Sequence, residues 1–80
     1  MKKQITLDAA RVRMGYSLKE AAELFKVHYQ TLSSWEQDSS KMKQKYVQKI
    51  PDIYHLPIED IFFGNKNDFI LVLKKEHLEV

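Results

Sequence analysis

The sequence lacks several features that would point to other classes of protein. It contains no cysteine, which excludes disulfides, thiolate chemistry and cysteine-ligated zinc. Its two glycines are too few for a glycine-rich loop that cradles phosphate. No apolar run reaches the roughly 18 residues of a membrane-spanning helix, and no apolar stretch follows the basic start at Lys2 and Lys3. We therefore expect no signal peptide and a cytoplasmic location.

Patterns typical of enzymes and metal sites are missing as well. The three histidines, His28, His55 and His77, are far apart, and no H-x-x-x-H spacing occurs. Glu59 and Asp60 are adjacent, so on a helix they point in different directions and do not form an acid–base pair. We therefore predict no enzymatic activity, no metal and no other cofactor. No small-molecule ligand is predicted either, because so short a chain has a small core.

Length and charge describe one small domain with an uneven surface. Eighty residues suffice for a single domain. The net charge is only +2, but residues 41–49 hold four lysines and no acid, whereas residues 50–65 hold three acids and no lysine or arginine. A basic patch of this kind suits contact with phosphate groups, although a merely solvated surface fits the charge equally well.

The first quarter of the chain predicts two helices separated by a glycine. Apolar residues at helical spacing predict helix 1 over about residues 6–14, and Gly15 ends it in a left-handed conformation. Ser17 and Glu20 form the pattern S-x-x-E, in which each residue caps the backbone of the other. This capping box opens a second helix over residues 18–25.

A third helix follows after a tight turn at residues 26–27. It is predicted over residues 29–36, with His28 at its cap. Leu32 and Trp35 lie three apart, so they share one face, which we expect to be buried. The side chains that point away from this core are those of Tyr29, Gln30, Ser33 and Ser34.

The remaining helices are predicted around the two prolines. Residues 43–54 carry apolar positions at helical spacing, and Pro51 either kinks this fourth helix or breaks it into two short ones. Pro57 suits the first turn of a fifth helix, which ends at Phe62 or Phe63. Gly64 closes the helical region.

Residues 65–80 form a separate C-terminal extension. Its apolar segment, residues 69–73, is short, partly β-branched and preceded by turn residues, so we predict a strand, while a helix stays open. A lone strand leaves its backbone groups unpaired. Pairing with the same strand of a second subunit would satisfy them, so we expect a homodimer.

The second and third helices together suggest a way to bind DNA. Two short helices joined by a tight turn can present the polar face of the second helix to the major groove, which is about 12 Å wide and admits one helix. The order of the motifs resembles the phage repressor and Cro type (XRE-type) helix-turn-helix family. The matching segments are residues 11–27, the TLSSWE of residues 31–36 and the LPIEDIF of residues 56–62.

The resemblance covers about residues 7–63 and implies a fold. That fold is all-α, a five-helix repressor-like DNA-binding domain over residues 1–64, followed by the short extension. Ala22 matches the small residue where the two helices of the motif cross, and Arg11 and Glu36 match a salt bridge between helix 1 and the end of helix 3. Such a bridge orients helices even where its net stabilisation is small.

The resemblance also implies a set of DNA contacts. Gln30 can pair with adenine through two hydrogen bonds, and the first turn of helix 2 can meet a phosphate through its backbone N–H groups. The implied base contacts are Tyr29, Gln30, Ser33 and Ser34. The implied phosphate contacts are Ser17, Lys19, Thr31, Lys41 and Lys43.

Three positions depart from the family's pattern. Leu18 stands where the family usually has glutamine, Lys26 where it usually has glycine, and His28 where it usually has serine or threonine. A residue other than glycine at position 26 costs roughly 1 kcal/mol if the turn is left-handed.

The resulting expectation is a sequence-specific transcriptional regulator of prophage or mobile-element repressor type. A homodimer would set two recognition helices one DNA turn apart on a near-palindromic operator of double-stranded DNA. The alternative is a protein-interaction module, such as an antitoxin or adaptor, on the same scaffold. The weak net charge, Leu18 and Lys26 favour that alternative, in which the apolar extension would be the binding segment.

Overall fold

The computed structural model describes the backbone of residues 4–78 and the side chains of residues 4–75. Outside this part of the chain lie Lys2, Lys3, the side chain of His77 and residues 79–80 of the predicted extension. Among the helices of residues 4–78, none combines the length and apolarity that crossing a membrane requires.

The first helix begins and ends as the sequence predicts. Helix α1, Leu7–Arg13, is capped by Thr6, whose Oγ1 accepts a hydrogen bond from the backbone N–H of Ala9 at 3.4 Å. Gly15 follows with φ of 77°, a conformation that residues with a side chain rarely adopt. The chain therefore reverses directly into the second helix.

Helices α2, Leu18–Phe25, and α3, Tyr29–Gln37, form the helix-turn-helix pair. Both parts of the predicted capping box are present at the start of α2, where Ser17 and Glu20 bond to each other's backbone N–H groups at 3.1 and 2.9 Å. Lys26 ends α2 in the left-handed region, with φ of 61° and ψ of 44°. The turn is therefore that of the motif, with lysine in the position that favours glycine.

Lys26→Gly is expected to raise the free energy of unfolding by about 1 kcal/mol, because glycine adopts a left-handed conformation without strain. Urea unfolding followed by circular dichroism measures the change. Glu23→Gly, in the interior of the same helix, is the matched control and should lower stability by about 1 kcal/mol. A loss of stability in both variants would show that the left-handed turn is not strained.

The predicted fourth helix is two helices. Helix α4, Gln44–Val47, and helix α5, Ile50–Tyr54, are separated by a turn, and Pro51 lies in the first turn of α5. Proline needs no N–H partner at that position, so the chain restarts a helix there. Of the two alternatives at Pro51, the break is confirmed, and a single kinked helix is wrong.

The all-α fold is confirmed, but the segment predicted as the fifth helix contains a single 3-10 turn, Ile58–Asp60. At Ile61 the backbone is in an extended conformation, because the chain pairs there with Ile5 near the N-terminus. The N–H of Ile5 donates to Asp60 and the N–H of Phe62 donates to Ile5, both at 2.9 Å. These long-range hydrogen bonds replace those of another helical turn.

The strand predicted over residues 69–73 is wrong. This segment lies within helix α6, Lys66–Leu78. The helix begins where the Asn65 side chain accepts from the N–H of Asn67 at 2.9 Å, and the Phe69 ring packs on Phe62 with centroids 4.7 Å apart. A helix satisfies its backbone within itself, so unpaired strand groups give no reason to expect a dimer.

The core lies between the helix-turn-helix pair and α5. Phe25, fully buried, meets the rings of Trp35 and Tyr54 edge-on, with centroids 6.2 and 5.5 Å apart. Burial, and secondarily the nearby Glu36 carboxylate, raises the pKa of the Tyr54 hydroxyl. The other buried apolar residues are Leu7, Ala10, Ala21, Ala22, Leu32, Met42, Ile50, Ile53 and Ile61.

Candidate nucleic-acid interface

Helix α3 is held from one side only. Leu32 is fully buried and Trp35 is 7% exposed, and these two residues lie three apart on one face of the helix. Trp35 also packs on Tyr46 of α4, with ring centroids 4.9 Å apart. Trp35 thus joins α3 to Phe25 of α2 and to Tyr46 of α4, and the opposite face of α3 is left to solvent.

The four residues expected to contact bases lie along that free face. Gln30 and Ser34 are exposed, Tyr29 is 39% exposed, and Ser33 is half-buried. None of these side chains is charged, so the edge offers hydrogen-bond donors and acceptors and one aromatic ring. Such an edge can match the pattern of base edges in a groove, where a charged face would mainly match phosphates.

An aromatic stack fixes the first turn of α3. The His28 ring lies on the Tyr29 ring with centroids 4.6 Å apart, and His28 Nδ1 accepts from the N–H of Gln30 at 3.1 Å. Lys19 of α2 places its Nζ 5.4 Å from the centroid of the Tyr29 ring. Lys19, expected at a phosphate, and Tyr29, expected at a base, are therefore neighbours across the two helices of the motif.

The start of α2 presents backbone donors beside this stack. The Ser17 N–H donates to the Glu20 carboxylate, and the Ser17 hydroxyl accepts from the Glu20 N–H. The hydrogen bond from the Ser17 N–H is the main reason why the pKa of the Glu20 carboxyl is lowered. The N–H groups of Leu18 and Lys19 are left as the donors that a phosphate would meet at this helix end. Leu18 itself is half-buried and packs against the core.

Lys41 and Lys43 lie on a loop that hydrogen bonds of the buried Ser39 hold against residues 62–64. Lys41 ends the 3-10 turn Ser39–Lys41, and Lys43 directly precedes α4; both are exposed, and so is Thr31 of α3. Ser39 is buried, where its hydroxyl donates to the Phe62 carbonyl at 3.0 Å and accepts from a backbone N–H at 3.1 Å. Sequence reasoning missed Ser39, since nothing local marks its partners.

The contact that the resemblance implies between Arg11 and Glu36 is present. The Arg11 Nε and Nη2 donate to the two carboxylate oxygens at 2.7 and 3.3 Å, and its Nη1 donates to the Tyr16 carbonyl at 3.0 Å. The hydrogen bond to Glu36 raises the pKa of the Arg11 guanidinium further. One side chain thereby connects α1, the loop after it and the end of α3.

These features define the class of the protein, an all-α domain with a helix-turn-helix at α2 and α3. A family model described as helix-turn-helix (HTH_3) matches residues 7–61, more than half of the chain, so the chain belongs to this family, which is of the Cro/XRE type. The family is one of DNA-binding transcriptional regulators, and the chain is a regulator of this type. No curated protein gave a significant match.

Proposed function

We propose that the chain is a sequence-specific regulator that reads the major groove with α3. The base contacts in this proposal are Tyr29, Gln30, Ser33 and Ser34, and the phosphate contacts are Ser17, Lys19, Thr31, Lys41 and Lys43. The observation that supports it is the uncharged, exposed edge of α3 opposite Leu32 and Trp35. The C-terminal helix leaves this edge open: it starts beside the other end of α3, where the Ser39 N–H donates to the Gly64 carbonyl at 3.2 Å, and Gln30 and Ser34 stay exposed.

The arrangement separates two kinds of contact. The edge of α3 would meet base edges, whereas the exposed lysines after α3 and the N-terminus of α2 would meet the phosphates on either side of the groove. Binding should therefore combine base discrimination with a strong dependence on salt. We propose that the DNA-binding domain spans residues 1–64 and that residues 65–80 form an extension to it.

Two alanine substitutions test this separation of base contacts from phosphate contacts. Gln30→Ala should lose about 1–3 kcal/mol of discrimination at one base position and leave the salt dependence unchanged. Lys43→Ala should weaken binding to all sequences alike and lower the slope of log affinity against log salt by about 1. Fluorescence anisotropy measures both effects, on duplexes selected from a random pool and on single-base variants of them, at two or more salt concentrations.

Matched controls come from the same chain. Gln37→Ala removes an exposed glutamine from the opposite end of α3, and Lys74→Ala removes an exposed lysine from α6. Both should bind as the wild type does. Equal behaviour of Gln30→Ala and Lys43→Ala would contradict the assignment of one to bases and the other to phosphates. A wild type that shows no salt-dependent affinity for mixed DNA, and that co-purifies with a protein, would favour the protein-interaction alternative.

The form of the DNA site follows from the symmetry of two bound copies. We propose that two copies bind a near-palindromic site, with recognition helices spaced by about one turn of DNA, roughly 34–36 Å. The resemblance to phage repressors and Cro supports a repressor of prophage or mobile-element type. Because contacts within one copy already engage one side of α6, the surface that joins two copies has to be sought among the faces that these contacts leave free.

A further inference from the structure

Helix α6 carries apolar side chains that the rest of the domain leaves uncovered. Leu71 is 62% exposed and Val72 is 51% exposed, although they lie in the middle of the helix. The helix also lies beyond residues 7–61, the part of the chain that matches the family. An exposed apolar surface of this kind typically marks a contact with another molecule.

One face of α6 is already used within the domain. Lys66 Nζ pairs with Asp8 of α1 at 2.8 Å, and Phe69 packs on Phe62. Although partial burial alone would raise it, the hydrogen bond from Lys66 holds the pKa of the Asp8 carboxyl below its usual value. Further along this inner face Ile70 and Leu73 are 38% and 47% exposed, less than Leu71 and Val72.

The outer face has a regular order of chemistry. Asp68, Leu71, Val72 and Lys75 are spaced by three, four and seven residues, so they form one stripe, roughly 160° around the helix from the inner face. All four are exposed. The outer stripe thus runs from an acid, through two apolar side chains, to a base.

This order is complementary to itself when reversed. If two such helices lie antiparallel about a two-fold axis midway between Leu71 and Val72, Leu71 of one copy meets the partner's Val72. The same axis places Asp68 opposite the partner's Lys75, and it does so twice. A parallel arrangement would instead set like charges side by side, which is unfavourable.

We propose that the outer stripe of α6 is a homodimer interface, in which a second copy of this chain packs its own α6 antiparallel to the first. The charge pairing and the apolar centre share one symmetry axis, and that coincidence identifies a second copy as the occupant. The proposal rests on the two-copy arrangement proposed above and names its surface.

The interface is small, and this sets its strength. One pair of helices buries less than the roughly 1,200 Å² of a standard stable interface, so the dimer should be weak and concentration-dependent without DNA. Two adjacent half-sites would then hold two copies together and raise the effective concentration of each α6 for the other. Self-association and cooperative binding should therefore respond to the same substitutions.

Charge reversal tests the antiparallel register. Asp68→Lys or Lys75→Asp alone turns both charge pairs of the dimer into like-charge contacts, so each should weaken self-association about tenfold. The double variant D68K/K75D exchanges the charges and should restore the wild-type dissociation constant. Sedimentation equilibrium of the full chain, at low salt and without DNA, measures these constants. Lys74→Asp makes the same change of charge outside the stripe. It should raise the dissociation constant of the dimer by no more than about twofold.

Two results would overturn the proposal. A wild type that stays monomeric up to about 1 mM would show an attraction weaker than about 4 kcal/mol and no useful interface. If the single charge reversals left self-association unchanged, or if the double variant did not regain the wild-type dissociation constant, the dimer contact would lie elsewhere. Because no DNA is present, these outcomes are distinct from a failure of DNA reading, which binding of the Lys75→Asp monomer to a half-site measures separately.

Discussion

Phe25→Ala is expected to lower the free energy of unfolding by about 3–5 kcal/mol, enough to leave much of this small domain unfolded. Phe25 is fully buried and is the ring on which Trp35 of the recognition helix and Tyr54 of α5 both pack. Its removal would open a cavity between the two helices of the motif and the helix beneath them. Urea unfolding at neutral pH, followed by tryptophan fluorescence and circular dichroism, measures the loss.

The neighbouring residue supplies the control. Leu24 lies on the same helix and is 45% exposed, so Leu24→Ala removes an apolar side chain without opening a closed core. Its cost should be under about 1 kcal/mol. Similar losses for both variants would mean that α2 packs through a different face from the one that the structure shows.

Arg11→Met has the second largest expected effect, a loss of about 3 kcal/mol in the free energy of unfolding. The Glu36 side chain is only 9% exposed, and without the guanidinium its carboxylate would lose both of its charged hydrogen-bond donors. The penalty comes from leaving one charge unpaired, more than from the net value of the pair. Thermal and urea unfolding measure it.

The double variant R11M/E36L separates these two contributions. Apolar side chains of similar size should recover the stability to within about 1 kcal/mol of the wild type, because no buried charge remains. Arg13→Met, on the exposed side of α1, should change stability by less than about 0.5 kcal/mol. If the double variant were as unstable as Arg11→Met, the pair itself would be strongly stabilising, and the desolvation argument would be wrong.

The first three helices could be predicted from the sequence almost to the residue. Their ends depend on contacts between residues two to four positions apart, such as the mutual capping of Ser17 and Glu20 and the cap from Thr6 to Ala9. The break at Pro51 is also local, since it follows from a missing N–H group. Signals of this kind are contained in a short stretch of sequence, whatever the rest of the chain does.

The wrong predictions for residues 57–62 and 69–73 share one cause. Residues 57–62 have helical features, but hydrogen bonds with Ile5 hold Ile61 extended. Residues 69–73 form an apolar run that fits either a strand or a helix, and the contacts of Lys66 with Asp8 and of Phe69 with Phe62 accompany the helix. In both segments the conformation depends on partners that are distant in the sequence.

In the candidate site, too, some features follow from local sequence and others depend on contacts between different elements. The exposed edge of α3 follows from the spacing of Leu32 and Trp35, which turns Gln30 away from the core. The stack of Lys19 on Tyr29 and the buried hydrogen bonds of Ser39 had no sequence signal, because they join different elements. The ion pair of Arg11 with Glu36 was reached only through resemblance to a family.

By itself, then, the sequence determined the caps, the turn and the polar edge of the helix-turn-helix, since those depend on periodicity and on hydrogen bonds between near neighbours. Only the tertiary structure decided that the C-terminal extension is helical and which of its faces is free. The side of the helix that lies against the domain carries Lys66, which meets Asp8, 58 positions away in the chain. A contact between residues so distant forms only after the intervening chain has folded back, and no local pattern encodes it.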